Sequence, residues 1–334
     1  MNYIGSKSRL SSWIKEEITD VFNADLSDKI FCDIFAGTGI IGRTFKGHVK
    51  KIISNDFEYY SFVLNKNYIS NRHALEDKEY YLEYLNTVPL VRDGFIYQHY
   101  CLGGGSGRQY FSDTNGMKID AIRQQINRWF SHHEISEEMY YFLLASLIES
   151  ADKVANTASI YGAYLKHLKK SAQQELRLQP AHFEYDVGQH EVYHEDANVL
   201  IKKISGDILY LDPPYNERQY SANYHILNTI ALYDHFIPRG KTGLRGDFNK
   251  SNYCRRNRVH RSFEALIKNA QFPYIFLSYN NEGLMHKEDV SAIMSRYGTY
   301  DLVTTEYKRF KADQTLSRNH KASVTKEYLH ILKK

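Results

Sequence analysis

Ile30-Phe31-Cys32-Asp33-Ile34-Phe35-Ala36-Gly37-Thr38-Gly39-Ile40-Ile41-Gly42 decides the fold. Its first six residues form an apolar run of strand length, and the small residues that follow turn the chain into a helix. The spacing Gly-x-Gly-x-x-Gly has meaning in this strand–turn–helix setting, where small residues let a ligand approach the backbone closely. Lys51-Ile52-Ile53-Ser54-Asn55-Asp56 is the next strand, and it ends in an acid 23 residues after Asp33. A carboxylate there can accept hydrogen bonds from both hydroxyls of a ribose. The pattern predicts an α/β fold that binds an adenosine-containing cofactor. By itself it leaves a nicotinamide dinucleotide and S-adenosylmethionine both open.

Two features separate these cofactors. Asp33 sits just before the glycine turn, where a pyrophosphate would repel it and a sulfonium and ammonium ligand would welcome it. The second feature is Asp212-Pro213-Pro214-Tyr215, delivered to the carboxyl end of the apolar run Gly206-Asp207-Ile208-Leu209-Tyr210-Leu211. This tetrapeptide has no evident role in hydride transfer. It suits a planar exocyclic amine, a poor nucleophile whose lone pair is delocalised into its ring. The Asp212 carboxylate and the Pro213 carbonyl can accept its two N–H hydrogens and favour the charge-gaining form. The prolines stiffen the loop and remove backbone donors, and Tyr215 offers a face for a base. Taken alone, the four residues read equally well as a rigid turn ending a strand. With the glycine turn and Asp33, they point to S-adenosylmethionine.

Bulk properties narrow the class less. The 334 residues suffice for one large domain with an insertion or for two domains. Net charge is +4, a mild lean toward polyanions. Cys32, Cys101 and Cys254 are far apart and odd in number, which suits a reducing cytoplasm better than a disulfide framework. The start lacks a secretory apolar core and no run approaches membrane-spanning length, so a cytoplasmic protein without membrane contact is expected. The histidines form no cluster with the cysteines, and no metal is expected.

Elsewhere, Asn2-Tyr3-Ile4-Gly5-Ser6-Lys7 precedes an amphipathic helix from about Leu10 to Phe22. Its Gly-Ser-Lys loop suits an anionic group, or is merely a polar cap. Residues 71–185 are too long for a crossover and should form a region of their own, with helices over Asp120–Phe130 and Ser136–Val154. Leu102-Gly103-Gly104-Gly105-Ser106-Gly107-Arg108-Gln109-Tyr110-Phe111 reads as a flexible finger for DNA, with Arg108 and Gln109 suited to base edges and the aromatics to wedging. The alternative is a plain loop followed by a strand. Tyr161–Lys170 carries three lysines among aromatics, suited to phosphate contact or to a solvated helix face. Residues 239–261 concentrate Arg239, Lys241, Arg245, Lys250, Arg255, Arg256, Arg258 and Arg261 against Asp247. They are the expected phosphate-binding surface, mobile without DNA because apolar anchors are few. Phe272–Ser278 reads as a buried strand, and Tyr300–Phe310 with Lys326–Leu332 as a terminal hairpin.

In their order, Asn2–Lys7, Asp33-Ile34-Phe35-Ala36-Gly37-Thr38-Gly39 and Asp212–Tyr215 resemble the amino-terminal, cofactor and catalytic motifs of the adenine-N6 DNA methyltransferases. The order is that of the alpha group, which includes the Dam methylase. Tyr215–His225, Ala155–Lys166 and Leu277–Gly283 resemble the branch containing the FokI-type modification methylases, with no departure in the catalytic four. The resemblance implies a Rossmann-like seven-stranded sheet with helices on both faces and an inserted DNA-recognition region. It implies methyl transfer from S-adenosylmethionine to the N6 amine of a flipped-out adenine in double-stranded DNA. It implies too that Tyr3, Lys7, Asp33, Phe35, Gly37 and Gly39 line the cofactor, that Asp56 holds its ribose, and that Asp196 accepts from its adenine amine.

The expected division is a cofactor half at 1–70, a helical target-recognition insertion at 71–185, and a catalytic half at 186–235. A basic DNA-contacting segment follows at 236–264, and the end of the sheet at 265–334. The DNA contacts are assigned to Arg108, Arg218, Lys241, Arg245, Arg255, Arg256 and Arg258. A cognate restriction endonuclease is an expected functional partner, and the protein itself should be a monomer or weak dimer. Cytosine-N4 methylation remains a rival, although that group typically carries Ser before Pro-Pro. RNA adenine methylation and a catalytically silent DNA-binding protein remain as well.

Overall fold

Parallel strands covered on both faces read as unbroken apolar runs, and the central strands of this protein do so. The computed structural model describes residues 7–308 and 324–334. In chain order, α1 (Ser11–Val21), β1 (Ile30–Asp33), α2 (Ile40–Phe45) and β2 (Lys51–Asn55) come first. Next are α3 (Tyr59–Ile69), α4 (Lys78–Thr87), α5 (Phe95–Tyr100), α6 (Asp113–Ser131) and α7 (Glu137–Lys153). Then follow β3 (Glu191–Tyr193), α8 (Ala197–Leu200), β4 (Ile208–Leu211), α9 (Tyr220–Asn223) and α10 (His225–Leu232). The last elements are α11 (Val259–Asn269), β5 (Tyr274–Asn280), α12 (Lys287–Met294), β6 (Thr299–Lys308) and β7 (Val324–Lys333).

The chain divides into two compact units. One holds residues 58–186 and 220–249, the other the described residues of 5–57, 187–219 and 250–334. The second unit contains one seven-stranded sheet of order β3-β2-β1-β4-β5-β7-β6. Its first five strands are parallel, and β7 runs antiparallel to both β5 and β6. This is the seven-stranded sheet that the resemblance implies, and the terminal hairpin falls where the sequence places it. All four residues of β4 are fully buried, as are Phe31 and Cys32 of β1. Each such large apolar side chain contributes about 1.5–3 kcal/mol of transfer free energy. The strand order reverses between β1 and β4, and ligands of open α/β sheets bind at the carboxyl ends of strands at such a point.

The other unit is helical. Ser112 caps α6 by accepting from the Asn115 N–H, and Ser136 caps α7 by accepting from the Met139 N–H at 3.1 Å. Around α7 pack α3 and α6, with α10 against α3 and α7. Its boundaries differ from the expected ones, because 58–70 and 220–249 pack here rather than with the sheet. The cause is visible in α3, which buries eight of its residues, Tyr60, Val63, Leu64 and Tyr68 among them.

Three loop expectations change. Tyr110 and Phe111 are fully buried, so neither can wedge into a base stack, and no strand follows them. Tyr161–Lys169 is not helical, and the Lys169 ammonium donates to the Thr157 carbonyl at 2.8 Å. The basic stretch belongs to both units, dividing at 249/250. Its second half is anchored by buried Tyr253, Cys254, Val259 and Phe263 rather than lacking anchors.

Candidate active site

Asp33 ends β1 with 1% of its surface exposed. Its Oδ1 has no hydrogen-bond partner among the described residues. Burial, then the charges of Asp212 and Asp56, hold its carboxyl well above the usual range. The following turn needs glycine, since Gly37 and Gly39 have φ of 52° and 73°. The Gly37 N–H donates to Asp56 Oδ2 at 2.7 Å, which ties the turn to the end of β2.

Asn55, which the sequence reading passed over, clamps three strand ends together. Its Nδ2 donates to the carbonyls of Ile34 (3.0 Å) and Glu195 (3.1 Å), and its Oδ1 accepts from the Glu195 N–H (3.0 Å). A polar side chain in an otherwise apolar strand was the available signal. Beyond Glu195, Asp196 caps α8 by accepting from the Asn198 N–H at 2.8 Å. The Phe35 ring meets Tyr253 edge-on, centroids 4.9 Å apart, and forms an apolar wall.

β4 lies beside β1, with Asp33 paired to Tyr210, so Asp212 emerges at the same edge as the glycine turn. The Asp212 side chain keeps 16% exposure and bonds the Lys7 ammonium at 3.0 Å. That ammonium also lies 2.9 Å from Glu327 Oε1 on β7 and 5.7 Å from the centroid of the Tyr215 ring. Burial raises the Asp212 carboxyl, Lys7 lowers it and Glu327 raises it again, leaving it at about 6. Burial alone would lower the Lys7 ammonium, yet Asp212 and Glu327 outweigh it and carry it well above its ordinary value. Pro213 is buried, and the Tyr215 carbonyl accepts from the Leu284 N–H at 3.0 Å. The Tyr215 ring stands at 90° to Tyr279. Lys7, predicted to lie near the cofactor, is thus placed on Asp212. Tyr3 lies outside the described residues. Glu327 was not predicted; its signal was a lone acid among the apolar positions of the last strand.

Residues 3–293 match the D12 class of N6 adenine-specific DNA methyltransferases. The chain belongs to that family. It is 63% identical over 334 residues to the type II methyltransferase M.NlaIII of Neisseria lactamica, a match spanning all of this chain and 99% of that protein. It is 40% identical over 313 residues to M.CviAII of Paramecium bursaria Chlorella virus 1, with 93% of each chain covered. M.FokI of Planomicrobium okeanokoites is 38% identical across the whole chain, which spans 53% of that longer protein. Membership in the D12 class decides for adenine N6 over cytosine N4 and for DNA over RNA, with S-adenosylmethionine as the methyl donor.

The residues present fit that donor. Asp33 holds an unpartnered buried oxygen beside a turn stripped of side-chain bulk, which suits a ligand carrying an ammonium and a sulfonium.

The expected DNA-contacting residues of this D12 enzyme fall into two groups. In the helical unit, Arg108 is half-buried and donates to the carbonyls of His99 (3.2 Å) and Gly240 (3.0 Å). Arg245 is held by Asp234 (2.7 Å) and Asp247 (2.9 Å), and Lys241 is exposed. In the sheet unit, Arg218, Arg256 and Arg258 are exposed and Arg255 is half-buried. Arg256 lies 3.9 Å from Glu217, and Arg258 reaches Asn252 Oδ1 at 3.3 Å.

Proposed function

We propose that this chain is the modification enzyme of a type II restriction–modification system, methylating one adenine of a specific site in duplex DNA after swinging it out of the helix. The observation that carries the reading is the meeting of Asp212 and Asp33 at one sheet edge, an acceptor-rich loop beside a glycine turn. S-adenosylmethionine, when bound, supplies a methyl group on cationic sulfur. Asp33, Phe35, Gly37, Gly39, Asp56 and Asp196 would hold it. Asp212 and the Pro213 carbonyl accept the two N6 hydrogens, Pro214 stiffens the loop, and Tyr215 stacks on the swung-out ring. Unstacking costs a few kcal/mol, which the base pocket offsets. Asp212, Pro213 and Tyr215 would hold the amine toward that methyl group, their contribution being positioning and electrostatics rather than a covalent intermediate.

Exposed Lys241 of the helical unit, and exposed Arg218, Arg256 and Arg258 with half-buried Arg255 of the sheet unit, contact phosphates, while Arg108 and Arg245 brace the helical unit. The helical unit reads the target sequence. The three cysteines are free and buried, in keeping with a cytoplasmic setting, and the chain acts as a monomer or weak dimer. No described helix is long and apolar enough to cross a membrane. The partner endonuclease shares the recognition site without needing to touch this chain.

Asp212→Ala is expected to abolish methylation of duplex DNA and leave S-adenosylmethionine binding nearly intact. Near-normal turnover would reject the role given to Asp212. Modification-detecting sequencing of genomic DNA from cells expressing the chain should return methylated adenine in one sequence context.

A further inference from the structure

Two carboxylates converge on one ammonium in this site, and only one belongs to the catalytic loop. Glu327 is fully buried on β7, opposite Asn280 of β5. Its Oε1 accepts from the Lys7 ammonium at 2.9 Å and from the Ser278 hydroxyl at 2.7 Å. Its Oε2 has no hydrogen-bond partner among the described residues. A buried acid with an unpartnered oxygen is destabilising and persists where it serves another purpose. Neutralising Asp212 would need Lys7 alone, and the second acid weakens that pairing.

We infer that Glu327 is a positioning residue for methyl transfer: by sharing Lys7, it keeps the ammonium from closing fully on Asp212. The Asp212 carboxylate therefore stays a strong acceptor for the adenine amine. Acceptor strength follows charge density, and an ammonium held by Asp212 alone would draw that density away. The groups facing Asp212 are Lys7 from the loop before α1, Glu327 from β7 and Tyr210 from β4. Tyr215 of the catalytic loop, Tyr279 of β5 and Asp33 of β1 complete them. Lys7 is the sole cation among these, so its division between the two acids sets the state of Asp212. The inference rests on Asp212 being the amine acceptor, as proposed above.

The test is single-turnover methyl transfer by the full chain to its duplex site, measured against pH. In the unaltered protein the rate is expected to fall as pH drops through about 6, because a protonated Asp212 no longer accepts. Glu327→Gln keeps an oxygen for Lys7 and Ser278 but removes the charge. Its acid limb should move down by about one pH unit, with a several-fold lower plateau. Ser278→Ala removes a donor from Glu327, strengthens its hold on Lys7 and should move the limb up. Opposite shifts support the inference; limbs that stay put, or move the same way, overturn it. If Glu327→Gln does not fold, Ser278→Ala decides alone: an upward shift supports, any other result overturns. Asp212→Asn is run alongside. Its retained activity would remove the reading of Asp212 itself, whereas an inactive Asp212→Asn with unmoved limbs removes only the role of Glu327.

Discussion

Asp120 and Asp212 are carboxylic acids drawn out of water, one in each compact unit, and burial is the first cause that pushes each up to about 6. Their surroundings differ. Asp120 on α6 accepts from the N–H groups of Ile96 (2.9 Å) and Tyr97 (2.8 Å) and from the Tyr233 hydroxyl (2.7 Å). It caps the first turn of α5 and pins the end of α10. Among the described residues, Asp212 has Lys7 as its one donor, and its neighbours Asp33 and Glu327 each keep a buried oxygen unpaired. The displacement of acidity is the same and the meaning is opposite. A carboxylate with its lone pairs saturated is scaffold, and one with acceptor capacity left over is available to a substrate.

The largest expected effect comes from removing the cation that holds the unsaturated group together. Lys7→Met leaves Asp212 and Glu327 as partly uncompensated charges, and breaking such a pair costs about 3–5 kcal/mol. Because protonating Asp212 relieves the repulsion, the variant should regain stability as pH falls toward 5. Chemical denaturation at two pH values checks this, and equal losses at both would mean that the network is not electrostatically coupled.

Next, Asp212→Asn should lower single-turnover methyl transfer by about a hundredfold to a thousandfold while leaving the melting temperature unchanged or higher. The same change at Asp120 should do the reverse. An amide there sets a donor against one of its three donors and costs about 1–3 kcal/mol of stability, with transfer barely altered. Thermal melts and transfer rates on the two variants decide. Parallel losses of activity would break the distinction between saturated and unsaturated acids.

Much of the sheet and half of the site were legible because their signals are local. The runs at β1, β2, β4 and β5 are continuous and apolar, and the glycine turn and the catalytic four are contiguous in sequence. Glu327 was not legible, because the residue that gives it meaning, Lys7, lies at the other end of the chain. No periodicity marks an acid that must meet a distant cation. Tyr110 and Phe111 were misjudged for a related reason: beside a glycine run they look exposed, yet the Tyr110 hydroxyl donates to the Tyr161 carbonyl inside the helical unit. The same blindness assigned α3 and α10 to the sheet, since an apolar helix does not announce which neighbour it packs on.

The smallest effects lie on the surface, where the same rule separates two arginines that are equivalent in the sequence. Arg245 is saturated: Asp234 grips its guanidinium, Asp247 takes its Nε, and the group sits 4.9 Å from the Phe236 ring centroid. Arg256 is exposed, with Glu217 at 3.9 Å. Arg256→Ala should weaken binding about evenly across DNA sequences and reduce the salt dependence by about one released counterion. Arg245→Ala should leave the salt dependence unchanged and cost about 1 kcal/mol or less of stability, as a partly exposed ion pair does. Binding isotherms on duplex DNA over a range of salt concentrations separate the two. A salt slope lowered equally by Arg245→Ala would show that saturation predicts role only where water is excluded, since at the surface an arginine can leave its carboxylates for a phosphate at little cost.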